Sequence, residues 1–284
     1  MDWLPLNRLD DPRSGFDVDV TLGTVPAGLG QEAFSCPRFE ALPGRLLYRT
    51  RTIADYLIEE GCRISVHPKP DTEKLKLSNI LFGAATGAIL IQRGTLALHG
   101  CSVEIPSGAV IVCGDSGAGK STLATLLLQR GLRVLDDNIA VLIPEEGGFH
   151  VQPGLGFLRL TRQTFDLLNE APRGPGFHAP FETKYLHFLN RGEFCNEARL
   201  LRHLFVLDRK TPLFCRPLAG RDKFATARRY TFVGHMAPGL GRTEDLFRRW
   251  LELAARTPMS LLGLPPEDVL YSWADRVSSM IRDL

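Results

Sequence analysis

Gly114-Asp115-Ser116-Gly117-Ala118-Gly119-Lys120-Ser121 is the most informative segment of this chain. It fits GxxxxGK[ST] at every position, the pattern of a phosphate-binding loop. The context agrees with the motif. Ala109 to Cys113 before it is a continuous apolar run containing Val110-Ile111-Val112, as expected of a fully buried strand, and Ser121 to Gln129 after it predicts a helix. In such a loop the glycines let successive backbone N–H groups turn toward phosphate oxygens, and the helix N-terminus adds partial positive charge. Lys120 is expected to reach the β- and γ-phosphates of a nucleotide, and the Ser121 hydroxyl to be a Mg²⁺ ligand. The candidate nucleotide-binding set is Gly114, Asp115, Ser116, Gly117, Ala118, Gly119, Lys120, Ser121 and Thr122. Gly117 and Gly119 are the positions where an added Cβ is expected to intrude most.

Downstream, Val134-Leu135-Asp136-Asp137-Asn138 is an apolar strand ending in carboxylates, the arrangement that delivers acidic groups to a metal–phosphate complex. Adjacent residues of a regular strand face opposite ways, so the two aspartates need not share a job. One is suited to hold Mg²⁺, assigned here to Asp136 beside Ser121; the other, Asp137, to accept a proton from an attacking hydroxyl. Upstream, Leu96 to Gly100 predicts a short strand with His99 near its end, on the same rim as the loop. His99 joins Asp137 and Lys120 as a candidate catalytic residue. The block is strand, glycine loop, helix, strand: an α/β nucleotide-binding unit.

Further out, Phe16 to Leu22 alternates with period two, and Ala54 to Ile58 with Cys62 to Val66 predicts a hairpin turned at Gly61. Residues 1–71 read as a small β-rich region and 72–284 as the loop-bearing domain. A helix is predicted from about Thr72 to Gln92. Its apolar stretch, Asn79 to Ile91, is shorter than the ~20 residues that span a bilayer and predicts a buried helix rather than a membrane partner. Strands are predicted at Ser102 to Ile105, Phe157 to Leu160 and Leu204 to Leu207, and helices at Gln163 to Leu168, Thr243 to Ala255 and Pro266 to Ile281.

The 284 residues carry 34 Lys plus Arg against 32 Asp plus Glu, a net charge of +2 that gives no reason to expect a nucleic-acid partner. Only seven of the basic residues are lysines, so Lys120 is drawn from a small set. Six scattered cysteines with no CxxC pair, and no signal-peptide pattern at the start, predict a reducing, cytoplasmic setting.

Arg93-Gly94-Thr95-Leu96-Ala97-Leu98-His99-Gly100, Gly114 to Thr122, Gln129-Arg130-Gly131 and Asp136-Asp137 together resemble the catalytic domain of the HPr kinase/phosphorylase family. The resemblance implies a phosphate-loop fold related to phosphoenolpyruvate carboxykinase and ATP- and Mg²⁺-dependent phosphorylation of a serine on a protein. It also implies a general-base aspartate with a histidine beside it. A gap-free alignment puts Asp137 on that aspartate and Asn138 on the family's second; a one-residue deletion would make the pair Asp136 and Asp137. Where the family carries a long glycine-rich signature, this chain has Pro153-Gly154-Leu155-Gly156-Phe157-Leu158-Arg159-Leu160, and its N-terminal part is shorter. These departures resemble the short peptide-tailoring branch, such as kinases of lasso-peptide precursors. The implied substrate is then a peptide or small protein, engaged by the β-rich N-terminal region, and the resemblance allows a homo-oligomer. A small-molecule kinase and a non-catalytic nucleotide-binding regulator are the alternatives. Arg159, Arg162 and Lys184 are further candidates to hold a transferring phosphoryl group, whereas Arg228-Arg229 and Arg248-Arg249 read as solvated faces.

Overall fold

The computed structural model describes residues 18–178, 183–209 and 214–284. Its contacts divide the chain into two units. One runs up to Thr95 and includes Val233–Phe247; the other comprises Leu96–Phe232 and Arg248–Leu284.

The first unit holds a six-stranded sheet in the order Asp19–Leu22, Arg63–Pro68, Ala54–Glu59, Arg45–Arg49, Phe39–Leu42, Phe34–Cys36. All neighbours are antiparallel except the first pair, where Asp19–Leu22 runs parallel to Arg63–Pro68. The expected hairpin is present. Glu60 and Gly61 both take positive φ, 51° and 67°, and Cys62 N–H closes the turn on Glu59 O at 3.1 Å. Residues 16 and 17 of the expected first strand lie outside the described residues.

The division after Thr95 differs from the boundary expected at 71/72, and the reason is visible in hydrogen bonds. The Lys74–Gln92 helical segment is pinned to the hairpin at both ends. Tyr56 Oη donates to Leu77 O, Gln92 accepts from Gly61 N at 2.7 Å and donates to Ile58 O, and Arg93 Nε donates to Gly61 O. The segment is two α-helices, Lys74–Ile80 and Thr86–Gln92, joined by a π-turn at Leu81–Ala85 where Gly83 leaves helical geometry. At 19 residues and a mean hydropathy of 1.3 it is longer than the apolar stretch suggested and passes the length and composition of a membrane span. Half of that window is nevertheless buried, as in a core helix.

The second unit is mixed α/β. Its main sheet runs Gly148–Val151, Ile139–Glu145, Leu96–Ile105, Gly108–Cys113, Arg199–Asp208, Met259–Gly263, Cys215–Pro217. Leu96–Ile105 is one continuous strand rather than two pieces. Ile139–Glu145 and then Val134–Asp136 pair along one of its edges, and Gly108–Cys113 along the other. His99 therefore lies within a strand, opposite Ile139, and not at a strand end as expected. Gly108–Cys113 is parallel to Arg199–Asp208, which is parallel to Met259–Gly263. A separate three-stranded sheet is formed by Phe157–Thr161, Thr183–Phe188 and Gly176–His178. The core joins Leu123, Leu126 and Leu127 of helix Lys120–Leu128 to Leu158, Leu160, Phe205 and Leu207 of the sheets. Leu270, Trp273, Val277 and Ile281 of helix Leu270–Arg282 complete it, spaced at the period of one helix face. The Gly220–Arg229 helix is polar and buries only Ala227.

Candidate active site

Helix Lys120–Leu128 starts where the loop ends, with Gly119 as its N-cap at φ 99° and Gly117 at φ 74°. These left-handed values are what require glycine there. Crowding does not: a Cβ on Gly117 would meet nothing within 4 Å, and one on Gly119 only Leu264 at 3.8 Å. The crowded position is Gly114, where a Cβ would lie 3.1 Å from Ala118 and 3.3 Å from Leu207. The expectation that Gly117 and Gly119 would suffer most intrusion is corrected accordingly.

Ser116 to Thr122 line a cavity of about 280 Å³ together with His99, Asp137, Asn138, Arg159 and Lys184. Gly114 and Asp115 are not on its wall; they serve it through their carbonyls, which accept from Lys120 Nζ at 2.8 and 3.0 Å. Burial pushes the Lys120 pKa down. Its ammonium is thus parked on loop carbonyls that a phosphate group would outcompete electrostatically. Thr122 shares a hydroxyl contact of 3.2 Å with Thr164.

The two aspartates divide sharply. Asp136 Oδ1 accepts from the backbone N–H groups of Asn138 and Ile139, both at 2.6 Å, and Oδ2 from Leu155 N at 3.1 Å. Asp136 is absent from the cavity wall. Its carboxylate ties a turn to the 153–160 segment, and that corrects its assignment as the metal ligand. Asp137 lines the cavity. Its Oδ2 accepts from Arg159 N at 2.7 Å, while Oδ1 is buried without a well-formed hydrogen bond. Burial pushes its carboxyl up to about 6; the Arg159 amide and the nearby Ser121 hydroxyl pull the other way. A carboxyl held near 6 can exchange a proton at neutral pH.

His99 Nδ1 lies 3.2 Å from Asn138 O. Burial, followed by the charge of Lys120, lowers its pKa to about 4, so the ring is neutral at pH 7. A carbonyl accepts only, so Nδ1 carries the proton and Nε2 keeps its lone pair. The expected contact between His99 and the base is indirect: the imidazole holds the backbone one residue beyond Asp137. Arg159 lines the cavity, and burial lowers its pKa against the pull of both aspartates. Lys184 lines it as well. Arg162 does not belong here. It is paired with Asp166 on an exposed helix face.

The oxygen donors on the wall, Ser121, Asp137 and the Asn138 side chain, are the hard ligands that Mg²⁺ takes alongside water and phosphate. The residues present therefore fit that ion, with Asp137 rather than Asp136 as the acidic member.

Two curated proteins share sequence with this chain. They are the HPr kinase/phosphorylases of two strains of Treponema pallidum, one of them strain Nichols. Each is 33% identical over 81 residues, 24% of this chain and 25% of theirs. Over that stretch the chain is similar to those two proteins. The match spans about a quarter of the relatives' length. The solved structure of the Hpr(Ser) kinase/phosphatase from Coxiella burnetii aligns with 66% of this chain and 88% of its own at 14% identity, with a TM-score of 0.40. No protein-family model matches the chain.

Three residues in and around the cavity carry contacts that the sequence does not signal. Arg229 is exposed, as expected of a solvated face, and places one guanidinium nitrogen 2.8 Å from both carboxylate oxygens of Asp115. Arg209 reaches toward Gly117 O at 3.5 Å and lines the cavity. Gly154 faces Asp136 so closely that a Cβ would lie 1.8 Å from Oδ2. Arg209 and Arg229 are among 27 arginines and carry no local signature.

Proposed function

We propose that this chain is an ATP- and Mg²⁺-dependent kinase that phosphorylates a serine hydroxyl on a peptide or small protein. A ribosomally made precursor peptide of the lasso type is the substrate class, and the cytoplasm the setting. The observation that carries the reading is Asp137: a buried carboxyl at about 6, with one oxygen lacking a good partner, on the wall of a phosphate-loop cavity.

In this reading Lys120 leaves the Gly114 and Asp115 carbonyls for the phosphates, and the loop amides bind their oxygens. Ionised Asp137 takes the proton of the serine hydroxyl as its oxygen bonds to the γ-phosphorus. The bond from that phosphorus to the bridging oxygen breaks, and ADP leaves. Neutral His99 is a positioning residue, holding Asn138 and hence its neighbour Asp137. Arg159 and Lys184 stabilise charge on the transferring group. Bound Mg²⁺ would neutralise phosphate charge. The β-rich N-terminal region, 1–71, engages the peptide.

The test is incubation with ATP, Mg²⁺ and peptides encoded near the gene, followed by mass spectrometry. Gain of one phosphoryl group on a peptide serine supports the reading. Phosphorylation of a free metabolite alone would select a small-molecule kinase. One observation favours a regulator instead: Asn138 stands where the resemblance has a second acidic residue. Tight ATP binding with no transfer to any candidate would select that alternative.

A further inference from the structure

The second unit carries a groove of about 560 Å³ whose wall includes Arg133, Arg199 and Arg282, with Glu104 and Ser107. It lies at the opposite end of the strand that feeds the phosphate loop. Gly108, the first residue of Gly108–Cys113, is on the groove wall, and the loop follows the last. At ~3.3 Å per residue the strand sets the two about 17 Å apart.

The charges at the groove do not cancel. Glu104 accepts from Nε and Nη2 of Arg133 at 2.6 and 2.8 Å, and from Nε of Arg199 at 2.8 Å. Glu197, on the surface, takes Arg199 Nη1 at 2.7 Å. Arg282 bonds only neutral groups, Arg130 O at 2.6 Å and Ser278 Oγ at 3.4 Å. Arg202 Nε likewise donates to Ser107 O at 2.7 Å, on the hairpin turn that forms one side of the groove. Four guanidinium groups therefore stand against two carboxylates. Arg133 Nη1 and Arg199 Nη2 carry no hydrogen bond among the described residues. Ser107 Oγ is buried without a partner. A spare hydroxyl and spare guanidinium nitrogens around one groove are the donors that recognise oxyanions.

We propose that this groove docks an acidic peptide segment of a partner protein, several carboxylates carried on one extended chain. A compact phosphate suits it less well. Glu104 is shared by Arg133 and Arg199, so a dianion placed there would meet its charge, and each of those arginines has one spare nitrogen rather than a fork. Carboxylates at alternate residues of an extended chain stand ~6.5 Å apart and can meet separate arginines. The groove shares no residue with the loop cavity, so its ligand is independent of phosphoryl transfer.

Fluorescence anisotropy of the full chain with a labelled peptide of alternating Glu and Gly, at low salt, tests this. The same peptide with Gln for Glu is the control. The Glu peptide should bind roughly tenfold or more tighter and lose that advantage as salt is added. Arg282→Gln should weaken it about fivefold. Arg162→Gln, which removes the same charge from an exposed helix outside the groove, should not. Pro106→Glu adds a carboxylate at an exposed turn position on the groove wall, and should weaken binding likewise if the Arg282 variant does not fold. Equal affinity for the two peptides overturns the proposal, as does equal loss in Arg282→Gln and Arg162→Gln. Displacement of the Glu peptide by ADP with Mg²⁺ also overturns it, by placing the peptide at the loop. A phosphoserine peptide or an oligothymidine that binds more tightly than the Glu peptide would replace the acidic segment with a phosphate or a nucleic-acid ligand.

Discussion

The backbone N–H of Arg159 donates to Asp137 Oδ2 at 2.7 Å, across 22 residues of chain. That single bond fixes one oxygen of the buried carboxyl and leaves the other, Oδ1, as the atom with chemistry to spare. Asp137→Asn should therefore retain nucleotide binding, since the amide oxygen can still accept from Arg159. Phosphoryl transfer should fall by on the order of 10²–10⁴-fold. Single-turnover transfer alongside ADP titration measures both; transfer at the wild-type rate would remove Asp137 from the mechanism.

The same substitution has a stability consequence of definite sign. Asp137 titrates at about 6 in the fold against an ordinary aspartate value of 3.8. The folded state thus binds the extra proton. Its contribution is most favourable below the unfolded value and is lost as pH rises through about 6. Asp137→Asn should melt higher than wild type at pH 7.5, by on the order of 1–3 kcal/mol, with the gap closing at pH 5. A gap that widens toward pH 5 would contradict the raised pKa.

Activity should follow the same ionisation. With Asp137 at about 6 and His99 at about 4, kcat/KM should rise through a single step near pH 6 and show no His99 limb above pH 5. A pH–rate profile checks this, and an acid limb that persists near 6 in Asp137→Asn would assign the step elsewhere.

Asp136 behaves differently because its oxygens hold backbone amides. Asp136→Ala strands three N–H groups, on Asn138, Ile139 and Leu155. At roughly 1–3 kcal/mol for each unsatisfied group, the second unit should lose much of its stability. Gly154→Ala should do the same, because its Cβ would fall 1.8 Å from Asp136 Oδ2. Circular dichroism melts report the loss. A stable Asp136→Ala protein with intact nucleotide binding would return Asp136 to the candidate metal ligands.

The Arg229–Asp115 pair is 63% and 67% exposed, so Arg229→Ala should change the melting free energy by less than about 1 kcal/mol. Asp115 nevertheless presents its carbonyl to Lys120 Nζ. Nucleotide affinity should fall a few-fold in the variant, and added salt should bring the wild type toward it. Equal affinities at low salt would show that the ion pair has no part in nucleotide binding.

The glycine-rich loop at 114–121 and its flanking strand and helix were legible because every requirement there is local. Positive φ at Gly117 and Gly119, an amine at residue 120 and a hydroxyl at 121 are written in consecutive residues. The β-rich beginning was legible through alternation and the turn at Gly61. The boundary after Thr95 was not, since it depends on Gln92 and Arg93 bonding to a hairpin some thirty residues earlier.

Local sequence suffices to place a glycine-rich loop between a buried strand and a helix, with two adjacent aspartates at the end of the next strand. Backbone conformation and hydrophobic period are properties of neighbours along the chain. Which aspartate faces the cavity is a matter of tertiary packing. The Pro153–Leu160 segment, read as a departure from the resembling family, returns in space with Leu155 N–H for Asp136 and Arg159 N–H for Asp137. Two chemically identical side chains thereby become a structural tie and a buried carboxyl on the cavity wall. Desolvation and hydrogen bonding are set by whatever packs against a group, and those partners lie about twenty residues away in the chain.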